Sequence, residues 1–144
     1  MNWKNEAMEK LRKYDLMRRA AYNLPRQIRQ LEEDAQAVRS AKLTGAKVQG
    51  GNRYEDILID NLVYRQELEK SLEQTQEWLA SVEDALDALE RDEQTILQYL
   101  YINPEAGAVT GLCDALGVEH STVYRKRDKA LQRFTLALYG ALES

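Results

Sequence analysis

From Trp3 to about Leu43 apolar residues recur at alternating intervals of three and four: Tyr14, Met17, Ala21, Leu24, Ile28, Leu31, Ala35 and Val38. That alternation keeps one narrow stripe facing a neighbouring helix, the pattern of a heptad seam. Pro25 interrupts it, removing one helical hydrogen bond and crowding the preceding turn, so the spacing predicts a break near Asn23-Leu24 and two helices. Thr44 to Asn52 contains three glycines and no helical period, and reads as a turn or loop. From Tyr54 to Ile102 there is neither Gly nor Pro, and Leu68, Leu72, Thr75, Leu79, Val82, Leu86 and Leu89 form a second seam that Ile96 and Leu100 continue. Two long helices joined by a short loop predict an antiparallel, coiled-coil-like hairpin over residues 1–91, with its loop at about 44–53. Stripes this narrow fit a chain folded on itself and equally a homodimer through the hairpin.

Asp92 is suited to cap a fresh helix running to Tyr101, and the competing reading is one helix unbroken from Leu89 through Ile96. Asn103 to Gly107 reads as a turn. Beyond it Leu112 and Leu116 share one helical face, and Cys113 and Ala115 are small enough for close helix approach. Gly117 follows where a chain leaving a helix needs a left-handed residue. In the next helix Val123, Ala130 and Phe134 fall within about 40° of one another, opposite Ser121, Tyr124, Arg125 and Asp128. One face is patterned to pack and the other to stay exposed, which is the organisation of a helix-turn-helix over residues 92–144. Phe134, Leu136, Leu138 and Tyr139 suggest a last helix.

Leu112-Cys113-Asp114-Ala115-Leu116-Gly117, followed by Val118, Ser121-Thr122-Val123-Tyr124-Arg125 and Ala130-Leu131, resembles the helix-turn-helix of sigma-70 region 4 domains. The preceding run Leu97-Gln98-Tyr99-Leu100-Tyr101 is similar to theirs too. Val48-Gln49-Gly50-Gly51, with Arg53 and Glu55-Asp56 after it, is similar to small sigma-like regulators carried by phages of Gram-positive bacteria. The resemblance implies an all-α protein, a sequence-specific regulator of transcription that reads double-stranded DNA, and RNA polymerase as a partner. Two residues depart from the family pattern. Glu119 stands where a capping Ser or Thr is common, and Asp128 lies on the outward face. A carboxylate suits a helix N-terminus but repels phosphate, and can accept a bond from cytosine.

Position in the first turns of the second helix directs His120, Ser121, Tyr124 and Arg125 to base edges and adjacent backbone. Arg125 paired with guanine O6 and N7 would discriminate by roughly 1–3 kcal/mol. Thr122, Lys126, Arg127 and Lys129 suit phosphates, which position a domain without reading sequence. For Arg127 an ion pair with neighbouring helices competes equally with that role, and Tyr124 has an alternative place in the core.

Charge changes the picture. The net charge of -4 looks wrong for a nucleic-acid binder, but it is unevenly spread. Residues 1–53 carry 12 Lys+Arg against 6 Asp+Glu, residues 54–91 carry 3 against 11, and residues 92–144 carry 5 against 7. The five basic residues of the last segment all lie between Arg125 and Arg133, the local footprint that DNA binding needs. The opposite signs of the first two segments favour pairing them in a hairpin.

The chemistry of catalysis is sparse. One His and one Cys, seven residues apart, offer no convergent nucleophile, acid or metal ligand set, so neither an enzyme, a metal site nor a cofactor is expected. Cys113 alone excludes an internal disulfide and fits a small core position in a reducing cytoplasm. No apolar run approaches the ~20 residues of a membrane span. A DNA-packaging subunit of the small-terminase kind, also a helix-turn-helix joined to helical hairpins but assembled as a ring, is the competing functional class; a purely structural coiled coil is a third.

Overall fold

The computed structural model describes residues 1–45 and 53–143. The protein is all-α. Helix α1 spans Trp3–Leu43, α2 Arg53–Asp87, α3 Arg91–Leu97, α4 Ala108–Leu116 and α5 His120–Tyr139, with a π-helical turn, Gln98–Ile102, between α3 and α4. The only extended pairing among the described residues is an isolated bridge between Asn2 and Glu143.

Asn2 starts α1: its side-chain oxygen accepts the backbone N–H groups of Lys4 and Asn5 at 3.1 and 3.3 Å, two of the donors that a helix start leaves unbonded. The expected break at Pro25 is absent, and α1 runs unbroken for 41 residues with Pro25 inside it. Proline removes only its own N–H from the ladder, and the seam on either side carries on, with Ile28 and Ala35 buried beyond it. Burial of that stripe outweighs a local defect of about 3 kcal/mol. At the far end Thr44 bonds back to Ser40, and Gly45 takes a left-handed conformation. The rest of the Gly-rich stretch, including the Val48-Gln49-Gly50-Gly51 match, lies outside the described residues.

The unbroken reading through Leu89 and Ile96 is also corrected, because α2 ends at Asp87 and α3 begins at Arg91. Gln94 explains the stop. Its side-chain nitrogen donates to the carbonyls of Leu86 and Leu89 at 2.8 and 3.2 Å, satisfying groups that the end of α2 leaves unpaired. Asp92 is not the cap. Glu90 precedes α3, and its backbone N–H donates to the carboxylate of Glu93 at 3.0 Å, the reach-back bond of a capping box. Nor is there a separate last helix: Phe134 to Tyr139 continue α5 until Gly140.

The sequence places a boundary between residues 91 and 92, whereas the packing divides the chain into Met1–Arg18 with Glu77–Ser144 and, separately, Arg19–Gln76. In the first unit Ala7 and Leu11 from the start of α1, and Val82 and Leu89 after it, share one core with Leu97, Ala130, Leu131 and Phe134. A second cluster, Ile96, Leu112 and Val123, lies beside α4. The chain ends close the unit: the Trp3 backbone N–H donates to the Leu142 carbonyl at 3.1 Å, and the Trp3 and Tyr139 rings meet at 4.7 Å.

Among the described residues of the unit Arg19–Gln76 the buried ones are Ile28, Ala35 and Thr75. Asn61 stands in the α2 stripe between Leu58 and Leu68; its side chain donates to the Leu31 carbonyl at 2.9 Å and accepts from Arg65 at 2.8 Å. The Lys42 ammonium lies 5.4 Å from the centre of the Tyr54 ring.

Candidate nucleic-acid interface

The segment from α4 to α5 turns on Gly117. Its φ of 66° is left-handed, which a side chain would resist, and the next N–H, of Val118, bonds back to the Cys113 carbonyl at 3.1 Å. Glu119 is extended, and its carbonyl accepts the N–H groups of Thr122 and Val123 to open α5. No side chain caps that start, so the departure from the Ser or Thr pattern leaves Glu119 acting through its charge. Cys113 is half-buried against the Ile96–Leu112–Val123 cluster.

The two faces of α5 separate sharply. Val123, Ala130 and Phe134 are fully buried, with Leu131 and Thr135 beside them, and the Thr135 hydroxyl donates to the Leu131 carbonyl at 2.6 Å. On the outward face His120, Ser121, Arg125 and Lys129 are exposed, and Tyr124 is 44% exposed rather than in the core. Arg125 donates to the Thr122 hydroxyl at 3.2 Å, a contact that tilts it along the helix. Among the described residues, no hydrogen bond or ion pair holds the side chains of His120, Ser121 or Lys129.

Two of the cations expected at phosphates have carboxylate partners within the protein. Lys126 faces Asp92 of α3 at 3.7 Å, so the residue expected to cap α3 instead meets α5 by its charge. Arg127 donates to Asp128 through Nε and Nη2 at 3.1 and 2.9 Å and lies 5.1 Å from the centre of the Tyr124 ring. Asp128 thus partly neutralises the cation that precedes it. Farther along, Arg133 reaches Glu93 at 3.1 Å and Glu90 at 3.7 Å. Glu93 is 5% exposed, and its second carboxylate oxygen has no partner.

Arg12, on α1, is a neighbour that sequence reasoning missed. Its guanidinium lies 5.8 Å from the centre of the Tyr101 ring, and it accompanies an exposed ion pair with Glu9 at 2.7 Å. Burial pushes the Tyr101 phenol above its ordinary value, and the charges of Arg127 and Arg12 offset part of that rise. No local pattern could have signalled a contact between residues so far apart in the chain. Among the described residues there is no group of three or more His, Cys, Asp or Glu placed to hold a metal ion, and no helix is long and apolar enough to cross a membrane.

The family model described as "Protein of unknown function (DUF1492)" matches residues 37–135 of the chain. No curated protein and no solved structure matches it.

Proposed function

Since the chain belongs to the DUF1492 family, whose description assigns no activity, we propose from the geometry that it is a sequence-specific DNA-binding regulator of transcription, sigma-factor-like and of phage or prophage origin. The reading rests on one observation. Directly after the left-handed Gly117, a helix buried along Val123, Ala130 and Phe134 presents His120, Ser121, Tyr124 and Arg125 outward from its first turns. In a helix-turn-helix those are the positions that meet base edges in the major groove. Arg125, exposed and already pointing along the helix, is the reader of guanine, and Lys129 and Thr122 take phosphates. Lys126 and Arg127 join them by exchanging their carboxylate partners for DNA.

The same reading treats α1 and α2 between Arg19 and Gln76 as an antiparallel hairpin. The pairs Leu31 with Asn61 and Lys42 with Tyr54 support it, because one helix is followed forwards as the other is followed back. The hairpin serves self-association or contact with RNA polymerase. Genomic footprinting of the wild type and Arg125→Ala, at equal expression, tests the function. Discrete peaks at promoters that the variant loses are expected. Peaks confined to a packaging start, with a ring of chains by light scattering, would replace regulation with DNA packaging.

A further inference from the structure

The hairpin of Arg19–Gln76 turns one seam inward and leaves two unlike faces outward. On α2, Ile59, Leu62 and Val63 are spaced three and four apart, so they form one strip. At about 100° per residue the strip lies about 150° round the helix from Asn61, Leu68 and Leu72 of the inward stripe. All three residues are exposed, and so are the carboxylates of Glu55, Asp56, Glu67 and Glu69 that border them towards either end. Lys70 is the one cation in that border. Among the described residues no ion pair holds any of these four carboxylates. The far side of α1 has the opposite sign. Tyr22, Arg26 and Arg29 share the face turned away from Ile28 and Ala35, with Glu33 the carboxylate among them. Tyr22 is 68% exposed, and the Arg26 guanidinium lies 5.5 Å from the centre of its ring. Neither arginine has a carboxylate partner among the described residues.

An apolar strip with an acidic border and an exposed ring flanked by arginines are complementary surfaces. They lie on opposite sides of one hairpin, so within one chain they cannot meet. Two copies joined strip to strip would set like charges against each other along both borders. Joined strip to ring, they set carboxylates against guanidinium groups and cover Ile59, Leu62 and Val63 with Tyr22. We propose that the hairpin associates head to tail, the α2 strip of one copy docking on the Tyr22, Arg26 and Arg29 face of the next. The contact deepens the self-association reading of the hairpin and rests on its antiparallel pairing, but it needs no DNA. Each copy keeps one face of either kind unused, so the contact repeats from copy to copy instead of closing on a pair. Three aliphatic side chains and one ring make a small contact with much exposed charge, which is weak and sensitive to salt.

The experiment is light scattering of the full-length protein over a range of concentration at low salt. The mass is expected to climb past that of a dimer as concentration rises, and to fall back when salt is added. Leu62→Glu disables the strip, and Arg26→Glu with Arg29→Glu disables the opposite face, so each variant alone is expected to stay a monomer. Mixed in equal amounts the two should form pairs and nothing larger, because the mixture retains one working contact. Arg26→Lys with Arg29→Lys should assemble as the wild type does. A wild type that stays monomeric at every concentration overturns the proposal and leaves the strip to another protein. So does an Arg26→Glu, Arg29→Glu variant that still pairs with itself, since strip then meets strip, and so does a mixture that forms no pairs. If Leu62→Glu loses helicity by circular dichroism, Glu67→Lys with Glu69→Lys takes its place in the mixture, because it reverses the border and keeps the strip. None of these measurements involves DNA, so the contact can fail while footprinting succeeds, and the reverse.

Discussion

Between Arg19 and Gln76 the described residues bury Ile28, Ala35 and Thr75, whereas the unit of residues 1–18 and 77–144 buries Leu11, Val82, Ile96, Leu97, Leu112, Val123 and Phe134 almost completely. The contrast is sharpest on α2. There Asn61 and Arg65 occupy the inward stripe, while Ile57, Ile59, Leu62, Val63 and Tyr64 are exposed outside it. An amphipathic helix ordinarily places these the other way round. A many-sided core specifies one arrangement by shape, since each side chain is enclosed from several directions. A two-helix stripe encloses its side chains from one direction only, and its register rests on polar marks such as the Asn61 bond to Leu31, as a buried Asn does in coiled coils.

The largest effect that tests this contrast is expected in the core. Phe134→Ala should destabilise the protein by about 3–5 kcal/mol, and Ile28→Ala by about 2 kcal/mol, because a two-helix stripe can partly close over the lost volume. Urea midpoints measure both, and equal losses would erase the distinction between the two regions. A smaller effect is expected at the turn before α5. Gly117→Ala meets no atom within 4 Å, so its cost is backbone strain alone, about 1 kcal/mol, read by the same titration.

The smallest effect is a pH dependence confined to the many-sided unit. Burial raises the phenols of both Tyr14 and Tyr101 above the ordinary 10.0, with a hydrogen bond from Tyr14 to Glu83 at 2.9 Å adding to the first. A raised folded value means that the unfolded chain gives up these protons first. The stability linked to them is therefore complete below about pH 10 and is lost as pH rises through the folded values. Unfolding midpoints measured across that range should fall less steeply in Tyr14→Phe than in the wild type.

Much of this was legible before the structure. The three-four spacing marked both long helices, and the inward set Val123, Ala130 and Phe134 could be read from angle alone, because periodicity records burial directly. A polar residue is legible in a stripe only when apolar neighbours flank it on both sides at the right spacing, as they do Thr75; Asn61 and Arg65 lie before the first leucine of that seam and carry no such mark. Pro25 was overweighted, since a local propensity yields when tertiary burial continues past it. The start of α3 depended on Glu93 reaching back and on Gln94 reaching to α2, bonds that no cap rule applied to Asp92 could reveal. At the candidate interface, residue type and helical angle picked out the exposed strip. Angle also placed Arg127 near the packing side, and its contact with Tyr124 three residues earlier follows from helical spacing, but the approach of Arg12 to Tyr101 is a product of the fold.

The stacking of Trp3 on Tyr139 bears on how this protein can be taken apart. A fragment cut at the apparent start of the reader, residues 92–144, would leave behind Ala7, Leu11, Val82 and Leu89 and expose the opposing faces of Leu97 and Phe134 to water. Truncation from the front would therefore be felt as misfolding at the back, and in a binding assay would mimic loss of the proposed DNA contact without removing any residue proposed to make it. A faithful miniature would splice residues 1–18 to 77–144, keeping two distant stretches of the gene and discarding what lies between.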